Sequence, residues 1–212
     1  MQKGKFITFE GLDGCGKSTQ IEIAKDWLRD NGYTVIKSRE PGGTHIGKEI
    51  RKILLNPAHS ELKPESELLL YLADRIQNLN ETILPAKSAG KIVLCDRSHD
   101  STVAYQGFGR GLDLEVLEPI IENYIKPYSP DFTILLTISP ETVFKRLKKR
   151  KENFKIDRLD QESFSFFERV SKGFEAIAFS ETERIICIDG EQKIDTIHKE
   201  IIDVLKIKLK IL

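Results

Sequence analysis

A chain of 212 residues, 40% hydrophobic and 31% charged, suits one globular domain with at most a small mobile insert. Its 33 basic and 33 acidic residues cancel, which removes any global electrostatic reason to expect DNA, RNA or an anionic membrane as partner. Three scattered cysteines (Cys15, Cys95, Cys187), no signal-peptide pattern and no apolar run near the ~20 residues of a membrane span point to a reducing cytoplasm.

In chain order, residues 6–9 are expected as a strand and 17–31 as a helix stopped by Gly32. Residues 33–36 form the next strand, and the Pro and Gly of Arg39-Glu-Pro-Gly-Gly43 make a loop. Helices are expected over 45–55 and 65–89, the second broken near Pro85. A strand at 91–95, a helix at 113–124 and a strand at 132–138 follow, with Pro140 opening a helix at 141–151. A helix at 160–180, a strand at 184–188 and a closing amphipathic helix at 192–210 complete the chain. The short strands, rich in Ile, Leu and Val on both faces, alternate with helices. That pattern predicts an α/β fold, a five-stranded parallel sheet with helices on both faces. Such sheets bind ligands beyond the carboxyl ends of their strands.

Gly11-Leu-Asp-Gly-Cys-Gly-Lys17-Ser18 follows the first strand and opens the first helix. That context makes the pattern a phosphate-binding loop. The glycines bring successive N–H groups and a helix N-terminus around oxyanions. Lys17 should reach the outer phosphates and Ser18 should ligate Mg2+, with Asp96, just after a buried strand, near the ion. The donor site is therefore assigned to Gly11, Leu12, Asp13, Gly14, Cys15, Gly16, Lys17, Ser18 and Thr19.

The loop alone does not identify a reaction. A GTPase switch usually carries Asn-Lys-x-Asp, which does not occur here. A motor-type ATPase usually works in a larger assembly, whereas a small kinase needs an acceptor site and a lid that excludes water. Asp13 either caps a turn or faces away from ATP toward an acceptor sugar. Arg39, Arg75 and Arg97 are each surface charges when taken singly; together, at strand ends and on a helix, they suit a bidentate grip on a monophosphate. Gln106 can read a base edge, and Tyr71 and Tyr105 either pack in the core or cover a base or sugar. The basic run from Lys145 to Arg158 is a solvated helix face, a nucleic-acid patch or a lid. As a lid at about 146–160 it would bring Arg150 and Arg158, supported by Lys155, over the transferring group.

Phe9-Glu-Gly-Leu-Asp-Gly-Cys-Gly-Lys-Ser-Thr19, Arg39-Glu-Pro-Gly-Gly-Thr44, Ala73-Asp-Arg75, Asp96-Arg97, Ser101-Thr-Val-Ala-Tyr-Gln-Gly107 and Asp157-Arg158 together resemble the thymidylate kinases, over nearly the whole chain. The resemblance implies a single P-loop NTPase domain over 1–212 of three-layer α/β type with a helical lid, acting as a homodimer. It implies transfer of the ATP γ-phosphate to dTMP with Mg2+, for dTTP synthesis and DNA replication. Asp13 would bind the 3′-hydroxyl, Arg39 and Arg97 the dTMP phosphate, Arg75 the thymine. Tyr71 would take the stacking position, with Ser101, Tyr105 and Gln106 completing the nucleoside site. Lys17, Arg97, Arg150 and Arg158 would be catalytic. The loop carries no extra basic residue and the lid is basic, as in the bacterial style of the family. Ser98 and His99 depart from a usual tyrosine pair, and Cys15 from a usual alanine. Asp-Arg-Ser also occurs in deoxynucleoside kinases, the alternative reading; their acceptor has no phosphate for the arginines to hold.

Overall fold

A computed structural model describes residues 3–151 and 157–211; within these, the side chains of Leu114, Val116, Leu117, Glu118, Arg150 and Lys151 lie outside the described set. Five parallel strands make one sheet: β1 (Lys5–Glu10), β2 (Val35–Arg39), β3 (Ile92–Asp96), β4 (Phe132–Thr137) and β5 (Ile185–Asp189), in the order β2-β3-β1-β4-β5. Alternate side chains of β1 enter opposite faces. Ile7 and Phe9 pack in one core with Leu28, Phe167 and Ile201, while Phe6 packs in a second with Leu68, Leu72 and Ile121. Helices α1 (Lys17–Asp30), α8 (Phe164–Ser180) and α9 (Ile194–Leu209) supply the first face, and α3 (Pro64–Asn78) and α6 (Leu114–Tyr124) the second. This is the three-layer P-loop NTPase architecture. No helix among the described residues is long and apolar enough to cross a membrane.

Helix α2 (His45–Leu55) lies where the pattern puts it, capped by the Thr44 hydroxyl, which accepts from the Gly47 N–H at 2.9 Å. Strand β2 begins two residues later than the sequence indicates and runs through Arg39, because its partner is β3: Arg39 pairs with Asp96, which also pairs with Phe9 of β1. Three strand ends therefore finish at one level. The expected helix 65–89 breaks earlier than Pro85, at wide π-type turns over Leu79–Ile83, and Pro85 then falls in the first turn of α4 (Leu84–Ser88), where its missing N–H costs no bond.

The longest helical segment without a counterpart in the sequence pattern follows β3. Residues after β3 form α5 (His99–Thr102) and continue in π-type turns over Val103–Gly109. Two glycines hide it from propensity, and tertiary packing forms it: a Cβ on Gly173 of α8 would stand 2.9 Å from Ala104 Cα, and one on Gly109 2.8 Å from Phe166 and Val170. Helix α7 (Pro140–Lys151) starts at the expected proline. It carries the described root of the basic run.

Candidate active site

β1 ends at the phosphate loop. Gly11 sits at φ +133 with its Cα turned so that a Cβ would lie 2.4 Å from Leu136 O, and Gly16 adopts φ +105 just before α1. Only glycine takes both conformations without strain, which explains their places in the pattern. Lys17, 6% exposed, folds its ammonium onto the carbonyls of Gly11 and Leu12 at 2.9 and 3.0 Å. Cys15 is buried in the core with its Sγ 3.6 Å from that ammonium. Ser18 Oγ donates to Asp96 Oδ2 at 2.9 Å. No group of three or more His, Cys, Asp or Glu among the described residues forms a metal cage. A hydroxyl beside a carboxylate does fit Mg2+, a hard cation that keeps waters and takes its remaining oxygens from phosphates.

A crevice of about 430 Å³ opens over this loop at the carboxyl ends of β1, β2 and β3. It brings together Asp13, Gly14, Gly16, Lys17, Ser18, Thr19, Arg39, Tyr71, Arg75, Asp96, Arg97, Ser101, Tyr105 and Gln106, all singled out from sequence. Arg97 is its hinge. It is a non-glycine residue at φ +79, a conformation that costs roughly 1–3 kcal/mol and persists because its surroundings impose it. Its N–H donates to Phe9 O at 3.0 Å. Nη1 donates to Gly11 O and Ser101 Oγ, and Nη2 to Asp13 Oδ1 at 2.8 Å and Tyr105 Oη at 3.1 Å, with the guanidinium over the Tyr105 ring. Tyr105 Oη in turn donates to Asp13 Oδ2 at 2.8 Å. Burial would raise the Asp13 carboxyl, but the Arg97 and Lys17 charges outweigh it and hold Asp13 well below the usual carboxylate range. Asp13 thus turns toward the acceptor-side residues rather than capping its own turn.

Below them Glu10, fully buried, accepts from Ser98 N–H at 2.6 Å and from the Ser101 hydroxyl at 2.6 Å. Burial, with Asp100 nearby, pushes Glu10 up to about 7 against the opposing pull of Arg97. Ser98 and His99, the departures from the family pattern, are buried and do not line the crevice. The Ser98 backbone serves both Glu10 and Arg75. Arg75 is 1% exposed, with Nε on Glu40 Oε2 at 2.6 Å, Nη2 on Ser98 O at 2.8 Å and Nη1 on the Thr102 hydroxyl. It reaches the crevice with its head already anchored.

Three residues that the sequence reading passed over matter here. Arg51 of α2 lines the crevice, donates to Pro41 O at 2.9 Å, and loses proton affinity through burial and then through the charge of Arg39. Its signal was legible: Gly47, Arg51 and Leu54 share the inward stripe of α2, so a charge sits where an apolar residue belongs. Glu67 is another such residue, on a stripe of α3 that buries Glu67, Tyr71, Asp74, Arg75 and Asn78. Arg146 of α7 spans the loop from outside, Nη1 on Gly14 O at 2.9 Å and Nη2 on Gly190 O at 3.2 Å.

The lid residues divide. Lys155 and the side chain of Arg150 lie outside the described residues. Arg158, expected over the transferring group, is 7% exposed and faces the wall of the acceptor side. Its Nε donates to Leu54 O at 2.8 Å and its Nη2 pairs with Glu67. The reason is the buried Glu67 carboxylate, which needs cationic partners at that depth.

A profile of the thymidylate kinase family matches residues 9–201 of this chain. Thymidylate kinase of Thermoanaerobacter sp. (strain X514) is 44% identical over 204 residues, 96% of this chain and 98% of that protein. Thymidylate kinase of Geobacillus sp. (strain WCH70) is 46% identical over 195 residues, 92% of each. The crystal structure of thymidylate kinase from Ehrlichia chaffeensis superposes with a TM-score of 0.77 at 32% identity, covering 96% of this chain and 98% of that one.

Proposed function

The chain belongs to the thymidylate kinase family, and on that premise we propose how its crevice transfers the γ-phosphoryl group of ATP to dTMP, giving dTDP and ADP. The observation that carries the reading is the convergence of Arg39, Arg51 and Arg97 beside the phosphate loop in one crevice. Like charges crowded together need an anion between them, and a dianionic monophosphate fits. Asp13 already pairs with Arg97, but a nucleoside acceptor would leave the repulsion between Arg51 and Arg39 unrelieved. Arg39, Arg51 and Arg97 hold the dTMP phosphate so that one of its oxygens attacks the γ-phosphorus in line with the departing ADP oxygen. One P–O bond forms as another breaks. The attacking oxygen is already anionic at neutral pH, so no general base is required.

Asp13 accepts from the 3′-hydroxyl, with Tyr105 fixing its second oxygen. Tyr71 covers the base, Arg75 and Gln106 read its edge, and Ser101 positions Arg97. On the donor side the loop N–H groups from Gly11 to Thr19 and the Lys17 ammonium take the ATP phosphates, and Arg146 closes the loop from outside. Ser18 and Asp96 would hold Mg2+, which supplies charge neutralisation on the β- and γ-phosphates when bound. The segment at about 146–160 acts as the lid. Arg150 brings a cation to the transferring group, and Arg158 joins it on release from Glu67.

Ile46 and Ile53, two helical turns apart on α2, and Leu69 of α3 are 51%, 43% and 60% exposed, apolar side chains that a homodimer would cover. Free Cys15, Cys95 and Cys187 support a cytoplasmic setting. Steady-state turnover measured by ADP release with dTMP, dUMP, dGMP, dCMP and thymidine tests the acceptor assignment. We expect dTMP to lead and thymidine to be inert; faster turnover of thymidine than dTMP overturns the phosphate-clamp reading.

A further inference from the structure

An amide side chain has a donor end and an acceptor end, and which end faces a ligand is decided by the partner of the other. Gln106 is 2% exposed and lines the crevice. Its Nε2 donates to Glu67 Oε1 at 2.8 Å. Glu67 is 1% exposed and receives three further N–H donors: Arg110 Nε and Nη2, each at 3.1 Å, and Arg158 Nη2. Two guanidinium groups on one buried carboxylate keep it ionised. Burial would raise its pKa, yet the hydrogen bonds and charge of Arg110 outweigh this and the net shift is downward. An ionised carboxylate only accepts. Gln106 must therefore give Glu67 its NH2 end, and the carbonyl oxygen is the end left for whatever enters the crevice.

We propose that Glu67 is a specificity-determining positioning residue: by holding the NH2 end of Gln106 it turns the Gln106 carbonyl toward the acceptor base. That carbonyl rewards a pyrimidine carrying a hydrogen at N3, as thymine does, and opposes one whose N3 is a bare acceptor, as in cytosine. Glu67 touches no substrate and acts through Gln106. The proposal rests on the reading of Gln106 as a base contact. Arg110, which stays on Glu67 when Arg158 is released, has the larger part in it, because a neutral group at position 67 could donate as well as accept and would let the amide turn over. Buried polar groups left facing a mismatched edge are what give large discrimination between near-isosteric ligands.

Glu67→Gln and Gln106→Ala in the full chain, assayed with dTMP and dCMP as acceptors, test this. In Glu67→Gln we expect the ratio of kcat/KM for dTMP to that for dCMP to fall at least about tenfold. The loss should come through a higher KM for dTMP, with KM for ATP within about twofold of the parent. Gln106→Ala should lose the ratio similarly. If Gln106→Ala loses it while Glu67→Gln keeps it, the positioning role is overturned and the base contact stands. If Gln106→Ala keeps it, the base contact itself fails, and the positioning role with it. Equal rises in the KM of both substrates with the ratio intact would make Glu67 a structural ion-pair partner and overturn the proposal. Should Glu67→Gln not fold, Gln106→Glu addresses the same contact from the other side. A carboxylate there meets Glu67 with no hydrogen to give and should melt about 5 °C below Gln106→Ala; equal melting temperatures overturn the proposal.

Discussion

The donor and acceptor halves of the crevice are built by different means. On the proposed reading the donor half is mainly one continuous segment, Gly11 to Thr19, which offers main-chain N–H donors and a helix terminus beside the Lys17 and Ser18 side chains. The acceptor half is made of side chains from β2, α2, α3, the end of β3 and the turns after α5, cross-tied through Asp13, Glu10, Glu40 and Glu67. A main-chain site keeps its geometry when most side chains change. A side-chain site has its specificity distributed among buried ion pairs, each costly to break singly.

The comparison is tested most severely at Lys17, the cation of the phosphate loop. Lys17→Met should lower kcat at least about a hundredfold while leaving dTMP affinity, measured by calorimetry, near its parent value. A parallel loss of dTMP affinity would mean that the halves are not separable. Arg51→Ala makes the reciprocal cut. It should raise KM for dTMP by about ten- to a hundredfold, as expected for a charge-assisted pair worth roughly 1.5–3 kcal/mol, and leave KM for ATP unchanged in the same steady-state series. The lid arginines sharpen the boundary. Arg150→Ala should depress kcat alone, by about tenfold or more. Arg158→Ala should in addition lower the melting temperature, since it leaves the buried Glu67 short of a partner; equal stability of the two variants would break the distinction.

The smallest effect concerns pH. Glu10 titrates near 7 in the folded chain through burial and its neighbour Asp100, against a usual 4.5. The folded state therefore holds a proton that the unfolded state has lost, and stability from this group falls as pH rises through 7. His99, lowered by burial, acts in the opposite direction: its unfolded form is still half protonated at pH 6.5, and the loss of that proton offsets part of this fall below pH 8. Between pH 6.5 and 8 the Glu10 share alone is a fall of about 0.8 kcal/mol by linkage, or roughly 2 °C in melting temperature before the His99 offset. Calorimetry should record that decline in the parent and a flatter profile in Glu10→Gln.

The sequence alone determined the sheet, the phosphate loop and the family. Periodicity and glycine placement are local signals that need no partner, and the Arg-Glu-Pro-Gly-Gly and Ala-Tyr-Gln-Gly segments are specific as strings of residues. Arg39, Arg75, Arg97 and Gln106 could be named because they sit in such strings. What only the tertiary structure decided is which group each one faces. Asp13 turns to Arg97 and Tyr105, Arg158 to Glu67, and Arg51 joins the crevice from an inward position that the expected helix placed without showing its neighbour. Those outcomes depend on burial and on charges brought together from segments up to 91 residues apart. A buried carboxylate takes whichever cation the fold delivers to it, and no local pattern records that delivery.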